Sequence, residues 1–112
     1  MSDKNINMNY WTGTVTIPAS DTVSTGTVTS VMNGLGRYVE WVTANMEDTD
    51  SSQLSARTAY GGTVFSTGTV AESTRFSVGS VFPAYGTLTW VVTAEGTQSG
   101  ARTIPIHVWY ET

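Results

Sequence analysis

Residues with catalytic chemistry are few in this chain. His107 is the only histidine among 112 residues, and it alternates with Ile106 and Val108, which predicts a strand with the imidazole on its outer side. A Ser-His-Asp arrangement needs this histidine, but the chain contains no G-x-S-x-G elbow, and its many hydroxyls make a chance pairing easy. We therefore interpret His107 as a strand residue on a solvent or interface face and assign no catalytic residue.

Acidic side chains gather in one polar segment, residues 46–53. The oxygen-bearing side chains that recur there are Glu47, Asp48, Asp50 and Ser52. A loop can fold such a set around Ca²⁺, but the EF-hand pattern fails because Gln53 stands where that loop needs glycine. We interpret the segment as a solvated loop, assign no metal ligand, and leave calcium binding open.

A pair of carboxylates is the signature of glycoside hydrolysis. Glu40 and Glu95 lie on or next to predicted strands, but their spacing in sequence does not place them at a catalytic separation. A domain of this size also offers little cleft. We expect no enzyme and no cofactor.

Aromatic residues are the more informative group, with four Trp and five Tyr. Trp90 shares the inward parity of its strand, whereas Trp109 points opposite to Val108 and Tyr110. Exposed rings on a sheet suit either sugar stacking or contact with another protein chain. Protein contact is favoured because the chain shows neither an export signal nor a metal loop typical of sugar-binding modules. The predicted contact residues are Tyr10, Trp11, Trp41, Tyr85 and Trp109.

Composition determines the setting for these residues. Charged residues make up 12% of the chain, about half the ordinary share, and 20 threonines and 12 serines supply the polar surface instead. A net charge of −4 with Lys4 as the single lysine argues against nucleic acid as a ligand. Without cysteine there is no disulfide or thiolate site. The apolar runs are too short for a membrane span, and residues 1–11 lack the apolar core of a secretory signal.

Alternation of period two dominates the chain. It predicts an all-β fold, an antiparallel two-sheet β-sandwich of jelly-roll type with about eight strands. Asn33-Gly34 predicts a hairpin turn, and residues 83–86 predict another. Gly26 predicts a bulge, or a bend that carries the strand from one sheet to the other, where the inward parity changes. The predicted strands are residues 11–17, 22–32, 36–44, 54–60, 63–70, 73–82, 86–94 and 101–110. Residues 1–9 are predicted to form a flexible arm and residues 10–112 a single domain.

Four pieces like TGTV recur without a fixed period, one in WTGTV, two in STGTV and one in YGGTV. Together with the stretch GTVTIPASDTVSTGTV and the near absence of lysine, this pattern resembles small β-sandwich virion proteins of tailed bacteriophages. The resemblance implies a structural, non-enzymatic capsid decoration or cement protein, made in the host cytoplasm, that contacts the major capsid protein and forms a homo-oligomer. The alternative is a carbohydrate-binding module or an immunoglobulin-like adhesin domain.

Overall fold

The computed structural model describes residues 8–112. They form six β-strands and one short 3-10 turn, as the alternation of threonine with apolar residues predicts. The strands are β1 (Met8–Ile17), β2 (Thr25–Val42), β3 (Ser52–Thr58), β4 (Thr63–Ser66), β5 (Arg75–Ala94) and β6 (Arg102–Glu111), and the turn is Glu47–Thr49. No helix in this range is long and apolar enough to cross a membrane.

All strand pairs are antiparallel, and the strand order is β1-β6-β2-β5-β3-β4. The long strands β2 and β5 pair with each other along nearly their whole length. β6 pairs only with residues 35–41 of β2, and β3 pairs only with residues 88–94 of β5. Each long strand therefore contributes one half to each of two layers.

We call these halves layer A and layer B. Layer A consists of β1, β6, residues 35–42 of β2 and residues 75–83 of β5. Layer B consists of residues 25–34 of β2, residues 84–94 of β5, β3 and β4. Trp11 of layer A stacks on Trp90 of layer B, with ring centroids 5.9 Å apart. The layers enclose one core, whose largest fully buried side chains include Trp41, Trp90, Phe82, Ile17, Leu54 and Leu88.

A bulge interrupts β2 in layer A. The register shifts between Gly36 and Tyr38 against both neighbouring strands. Before the bulge the buried residues of β2 are even-numbered, and after it they are odd-numbered, beginning with Val39. Arg37 and Tyr38 are consequently both exposed. The bulge thus decides which side chains of β2 reach the outer face of layer A.

The all-β antiparallel sandwich is confirmed, but two predicted turns are wrong. β2 runs straight through Asn33-Gly34, and β5 runs straight through residues 83–86. Gly34 is needed for close approach rather than for a turn, because a side chain there would collide with the backbone carbonyl of Glu111. Pro83 is tolerated because, among the described strands, this part of β5 has a partner only on its β2 side. Eight predicted strands therefore merge into six.

The predicted bulge or bend at Gly26 is also wrong, because the register of β2 with β5 is continuous from Thr25 to Gly36. Val23, which suggested a change of parity there, lies before β2 begins and is exposed. Gly26 itself is buried because the backbone of Thr16 passes directly over it, leaving no room for a side chain. The parity change occurs at Arg37 instead.

The predicted N-terminal arm lies mostly outside the described residues. Its last two residues, Met8 and Asn9, are part of β1 and pair with Glu111 and Tyr110. The domain thus extends at least two residues further toward the N-terminus than the composition predicts.

Candidate functional site

Three aromatic side chains lie side by side on the outer side of layer A. Tyr10 of β1 is directly opposite Trp109 of β6, and Trp109 is directly opposite Tyr38 of β2. The ring centroids of Tyr10 and Trp109 are 5.1 Å apart, and those of Tyr38 and Trp109 are 5.3 Å apart. Tyr10 and Tyr38 are exposed and Trp109 is half-buried between them. We call these three residues the aromatic face.

Ordinary strand alternation places two of the three rings. Even-numbered residues of β1 and odd-numbered residues of β6 point outward, so Tyr10 and Trp109 share one side of the layer. Tyr38 joins them only because of the bulge, since without the shift at Arg37 its parity would turn it into the core. The aromatic face therefore depends on one irregularity in β2.

Polar side chains border the aromatic face on one side. The hydroxyl of Tyr10 is 2.6 Å from Nδ1 of His107, and the Oγ1 of Thr12 is 3.2 Å from the same nitrogen. Glu40 lies directly opposite His107, and one of its carboxylate oxygens accepts a hydrogen bond of 3.0 Å from Arg75. These groups place hydrogen-bond donors and acceptors at the edge of the stacked rings.

A second ion pair lies on the other side of the rings, where Arg37 approaches the Glu111 carboxylate to 3.5 Å. Arg37 projects there because the bulge leaves it without an inward position. Each carboxylate beside the aromatic face thus has a guanidinium partner, Glu111 with Arg37 and Glu40 with Arg75. The border of the face is polar but locally balanced in charge.

The predicted contact residues divide into four groups. Tyr10 and Trp109 are brought together on the aromatic face. Tyr85 is 60% exposed but lies elsewhere, on the outer side of β5. Trp11 is half-buried against Trp90. The prediction for Trp41 is wrong: it is 0% exposed in the core, so no partner reaches it in this fold.

Tyr38 was not among the predicted contact residues. It belongs to a stretch with apolar residues on both faces, and alternation alone does not say which of them points outward. The signal that separates them is the pair of glycines around Leu35, since glycine within a strand often marks a bulge. That signal indicates an irregularity but not the direction in which Tyr38 turns.

Carboxylates of the acidic segment accept hydrogen bonds from residues 98 and 99 of the same chain. Glu47 Oε1 accepts a hydrogen bond of 2.8 Å from the backbone amide of Ser99, and Asp50 accepts one of 3.0 Å from the Gln98 side chain. Hydrogen bonds from the Ser99 side chain and its amide hold the pKa of Glu47 below its ordinary value, with a smaller contribution from Arg102. Within residues 8–112, no three His, Asp or Glu side chains gather to form a metal site.

The candidate pair of carboxylates is not brought together. Glu40 lies opposite Ser77 near the start of β5, whereas Glu95 follows the other end of that strand. Glu95 accepts hydrogen bonds from the amide and hydroxyl of Ser51. It also lines an open groove of about 330 Å³ whose other lining residues are Ser51, Ser52, Gln53, Thr69, Thr93 and Ala94. Because no aromatic ring lines this groove, stacking chemistry belongs to the aromatic face.

No family model and no curated protein matches this chain. Two solved structures are similar to it in fold. A structure described as "CBM4 structure and function" has a TM-score of 0.46 and 18% identity, covering 88% of this chain and 82% of that one. Dimeric latent PorU from Porphyromonas gingivalis has a TM-score of 0.46 and 13% identity over 91% of this chain. The chain spans only 13% of the PorU structure.

Proposed function

We propose that this protein binds carbohydrate on the aromatic face of layer A. The observation that carries the proposal is the row of Tyr10, Trp109 and Tyr38, side by side on three adjacent strands and accessible to solvent. A sugar ring has an apolar face that stacks on an aromatic ring and a rim of hydroxyls that needs hydrogen bonds. The aromatic face and its polar border offer both.

The charges around the rings favour a neutral ligand. Arg37 pairs with Glu111 and Arg75 with Glu40, so neither sign dominates beside the aromatic face. An anionic or cationic ligand would have to compete with these existing pairs, whereas hydroxyl groups can bond to the carboxylate and guanidinium groups without separating them. The proposed ligand class is therefore an uncharged glycan.

The tilt of the rings favours a single glycan chain over a flat surface. The Tyr10 and Trp109 rings are inclined at 50°, and the Tyr38 and Trp109 rings at 62°. A flat crystalline surface would not lie against all three rings at once. A flexible chain that rotates between successive sugars can follow them.

Titration calorimetry with a panel of soluble neutral oligosaccharides tests the proposal. Trp109→Ala is expected to weaken binding at least tenfold, or about 1.4 kcal/mol, because it removes the central ring. Tyr60→Ala is the matched control, since Tyr60 is an exposed aromatic residue in the β3–β4 turn, outside the aromatic face. Equal affinities in both variants, or no binding to any member of the panel, would contradict glycan binding on this face.

A second candidate function is that of a structural virion protein, which the resemblance of the sequence to phage virion proteins implies. The observation that favours it is a strip of exposed apolar side chains on β2 and β5, with Val31 75%, Val81 64% and Tyr85 60% exposed. Such a strip is typical of a surface that another protein covers. On this candidate the chain is made in the host cytoplasm and contacts the major capsid protein of a virion.

Binding to purified phage heads tests the second candidate. A double variant, Val31→Ser with Tyr85→Ser, is expected to lose head binding if the strip is the contact surface. Trp109→Ala should retain it. Retention of head binding by the double variant, or absence of binding in the unaltered protein, would argue against the virion role.

A further inference from the structure

The edge of the sheet at β1 is long, regular and uncharged. In residues 8–112, β1 is the terminal strand of the sheet order and has a strand partner only on its β6 side. Its register with β6 is continuous, and its sequence, MNYWTGTVTI, contains no charged residue and no proline. A long, regular, uncharged edge strand is a template for pairing with another strand.

The backbone groups of Tyr10, Thr12 and Thr14 point to this open edge. Thr14 lies opposite Pro105, which has no amide hydrogen, so the two residues cannot exchange a full pair of backbone hydrogen bonds. The backbone carbonyl of Thr16 points away from β6 as well, since it meets Gly26 of β2. Because bonded and non-bonded pairs alternate along an antiparallel ladder, Tyr10, Thr12 and Thr14 direct their amides and carbonyls outward.

Two other edges carry features that discourage pairing. β4 is only four residues long. The open part of β5 begins with the charged Arg75, contains Pro83, and carries the irregularity opposite Arg37. Short length, charge, proline and bulges are the usual ways in which edge strands avoid unwanted partners. Residues 25–34 of β2 form a further edge, which pairs only with β5 and also lacks charge and proline. The backbone of Thr16 passes over that edge at Gly26, and of these two edges only β1 carries a ring of the aromatic face.

We propose that two copies of this chain pair antiparallel through residues 10–14 of β1, about a two-fold axis. An antiparallel two-fold arrangement centred on Thr12 sets each position against the position equally far on the other side of Thr12 in the other strand. On the outer side Thr12 would meet its own copy and Tyr10 would meet Thr14, and on the inner side Trp11 would meet Gly13. A second copy fits because β1 presents no charge that would repel an identical strand or select a charged partner.

The pairing would also join two aromatic faces. A two-fold axis perpendicular to the sheet keeps the outer side of both layers A on the same side of the dimer. Tyr10 lies on β1 itself, so the two rows of rings would be separated only by the paired edges. This consequence rests on the proposed glycan binding: one long polysaccharide could engage both rows, and avidity would exceed the affinity of either row.

Sedimentation equilibrium over a wide concentration range tests the pairing itself. The 12.0 kDa chain is expected to sediment with twice its mass, and Thr14→Pro with the mass of a single chain. Thr14→Pro removes an amide that points to the open edge, so the pairing of β1 with β6 keeps its hydrogen bonds. Thr14→Lys is a second disrupting variant that makes no demand on backbone conformation.

Thr103→Lys is the matched control for the added charge. Thr103 is exposed and pairs with Thr16, but it belongs to β6, which is covered by β1. The Thr103→Lys variant should remain dimeric, with an association constant within about twofold of that of the unaltered chain. A chain that is monomeric at all concentrations, or a dimer equally strong in both Thr14 variants, would overturn the proposal.

Glycan measurements separate this inference from the proposed function. For a short oligosaccharide, Thr14→Pro and the unaltered chain should have equal affinity. For an immobilised polysaccharide, Thr14→Pro should bind about 100-fold more weakly. If the chain dimerises through β1 but binds no glycan, the proposed function fails while the pairing stands. If both proteins retain the polysaccharide equally, β1 pairing does not link two aromatic faces.

Discussion

Trp41 and Trp109 occupy neighbouring strands of the same layer but opposite sides of it. Trp41 on β2 pairs with Ile106, and Trp109 on β6 pairs with Tyr38, a short way along the same ladder. Trp41 is fully buried, with the ring of Phe76 at 6.5 Å, whereas Trp109 lies between two exposed tyrosines. The sequence analysis predicts both tryptophans as contact residues. In the structure Trp41 belongs to the core and Trp109 to the aromatic face.

The buried position of Trp41 has a cost as well as a benefit for stability. Within the described residues, the indole nitrogen of Trp41 is buried without a hydrogen-bond partner. An unpaired buried donor costs about 1–3 kcal/mol. Removing roughly 200 Å² of ring from water contributes about 5 kcal/mol at about 25 cal/mol per Å². Packing outweighs the unpaired donor, so Trp41 stabilises the core.

The largest expected effect follows directly from this contrast. Trp41→Ala should lower the free energy of unfolding by about 3–5 kcal/mol, because it leaves a large cavity between the layers. Trp109→Ala should lower it by about 1 kcal/mol or less, because its ring is only half-buried. Urea denaturation of both variants measures the difference. Equal losses of stability would mean that the two rings do not lie on opposite sides of layer A.

The next effect concerns the glycine that lets β2 pass close to the end of β6. Gly34→Ala should lower the free energy of unfolding by about 2–3 kcal/mol, because the new methyl group meets the backbone carbonyl of Glu111, which cannot easily move. Gly68→Ala is the control, since nothing lies within 4 Å of a side chain at that position. The same denaturation curves report both. A neutral Gly34→Ala variant would mean that β2 does not pass close to the Glu111 carbonyl at this position.

Simple alternation predicted much of this fold and part of the site. It identified the antiparallel sandwich, the inward position of Trp90 and the outward positions of His107 and Trp109, because β5 and β6 follow period two without interruption in those stretches. These assignments depend only on local parity, which the sequence displays directly.

The remaining features depend on contacts between distant segments. Asn33-Gly34 has the composition of a turn. Its glycine is needed instead because the backbone carbonyl of Glu111, far away in the chain, leaves no room for a side chain. Tyr38 is exposed and Trp41 is buried because of a bulge whose position is fixed by pairing with both β5 and β6. No window of sequence around a single strand contains that information.

A smaller effect tests the polar border of the aromatic face. Tyr10→Phe keeps the ring but removes the hydroxyl that lies 2.6 Å from His107 Nδ1. Stability should change by less than about 0.5 kcal/mol, since the pair is exposed. Glycan affinity should fall about two- to fivefold, because His107 loses the bond that orients it beside the rings. Calorimetry at constant pH measures the change, and a loss as large as that of Trp109→Ala would place the main contact at the hydroxyl rather than at the rings.

The smallest effect lies away from both tryptophans, at Glu47. Hydrogen bonds from Ser99 hold the pKa of this carboxylate below its ordinary value of 4.5. The stabilisation is therefore present above that value and is lost as the pH falls through the lower, folded-state pKa. Glu47→Gln should unfold at a lower temperature than the unaltered chain at neutral pH, and the gap should close on acidification.

Asp21→Asn serves as the comparison, because it removes the same charge from an exposed loop position. Its thermal unfolding should differ from the unaltered chain by an amount that changes little over this pH range. Both variants should bind glycan normally, since Glu47 bonds to Ser99 in a loop and contributes nothing to layer A. A pH-independent deficit in Glu47→Gln would mean that the carboxylate acts through packing alone, and that its bonds to Ser99 do not favour the ionised form.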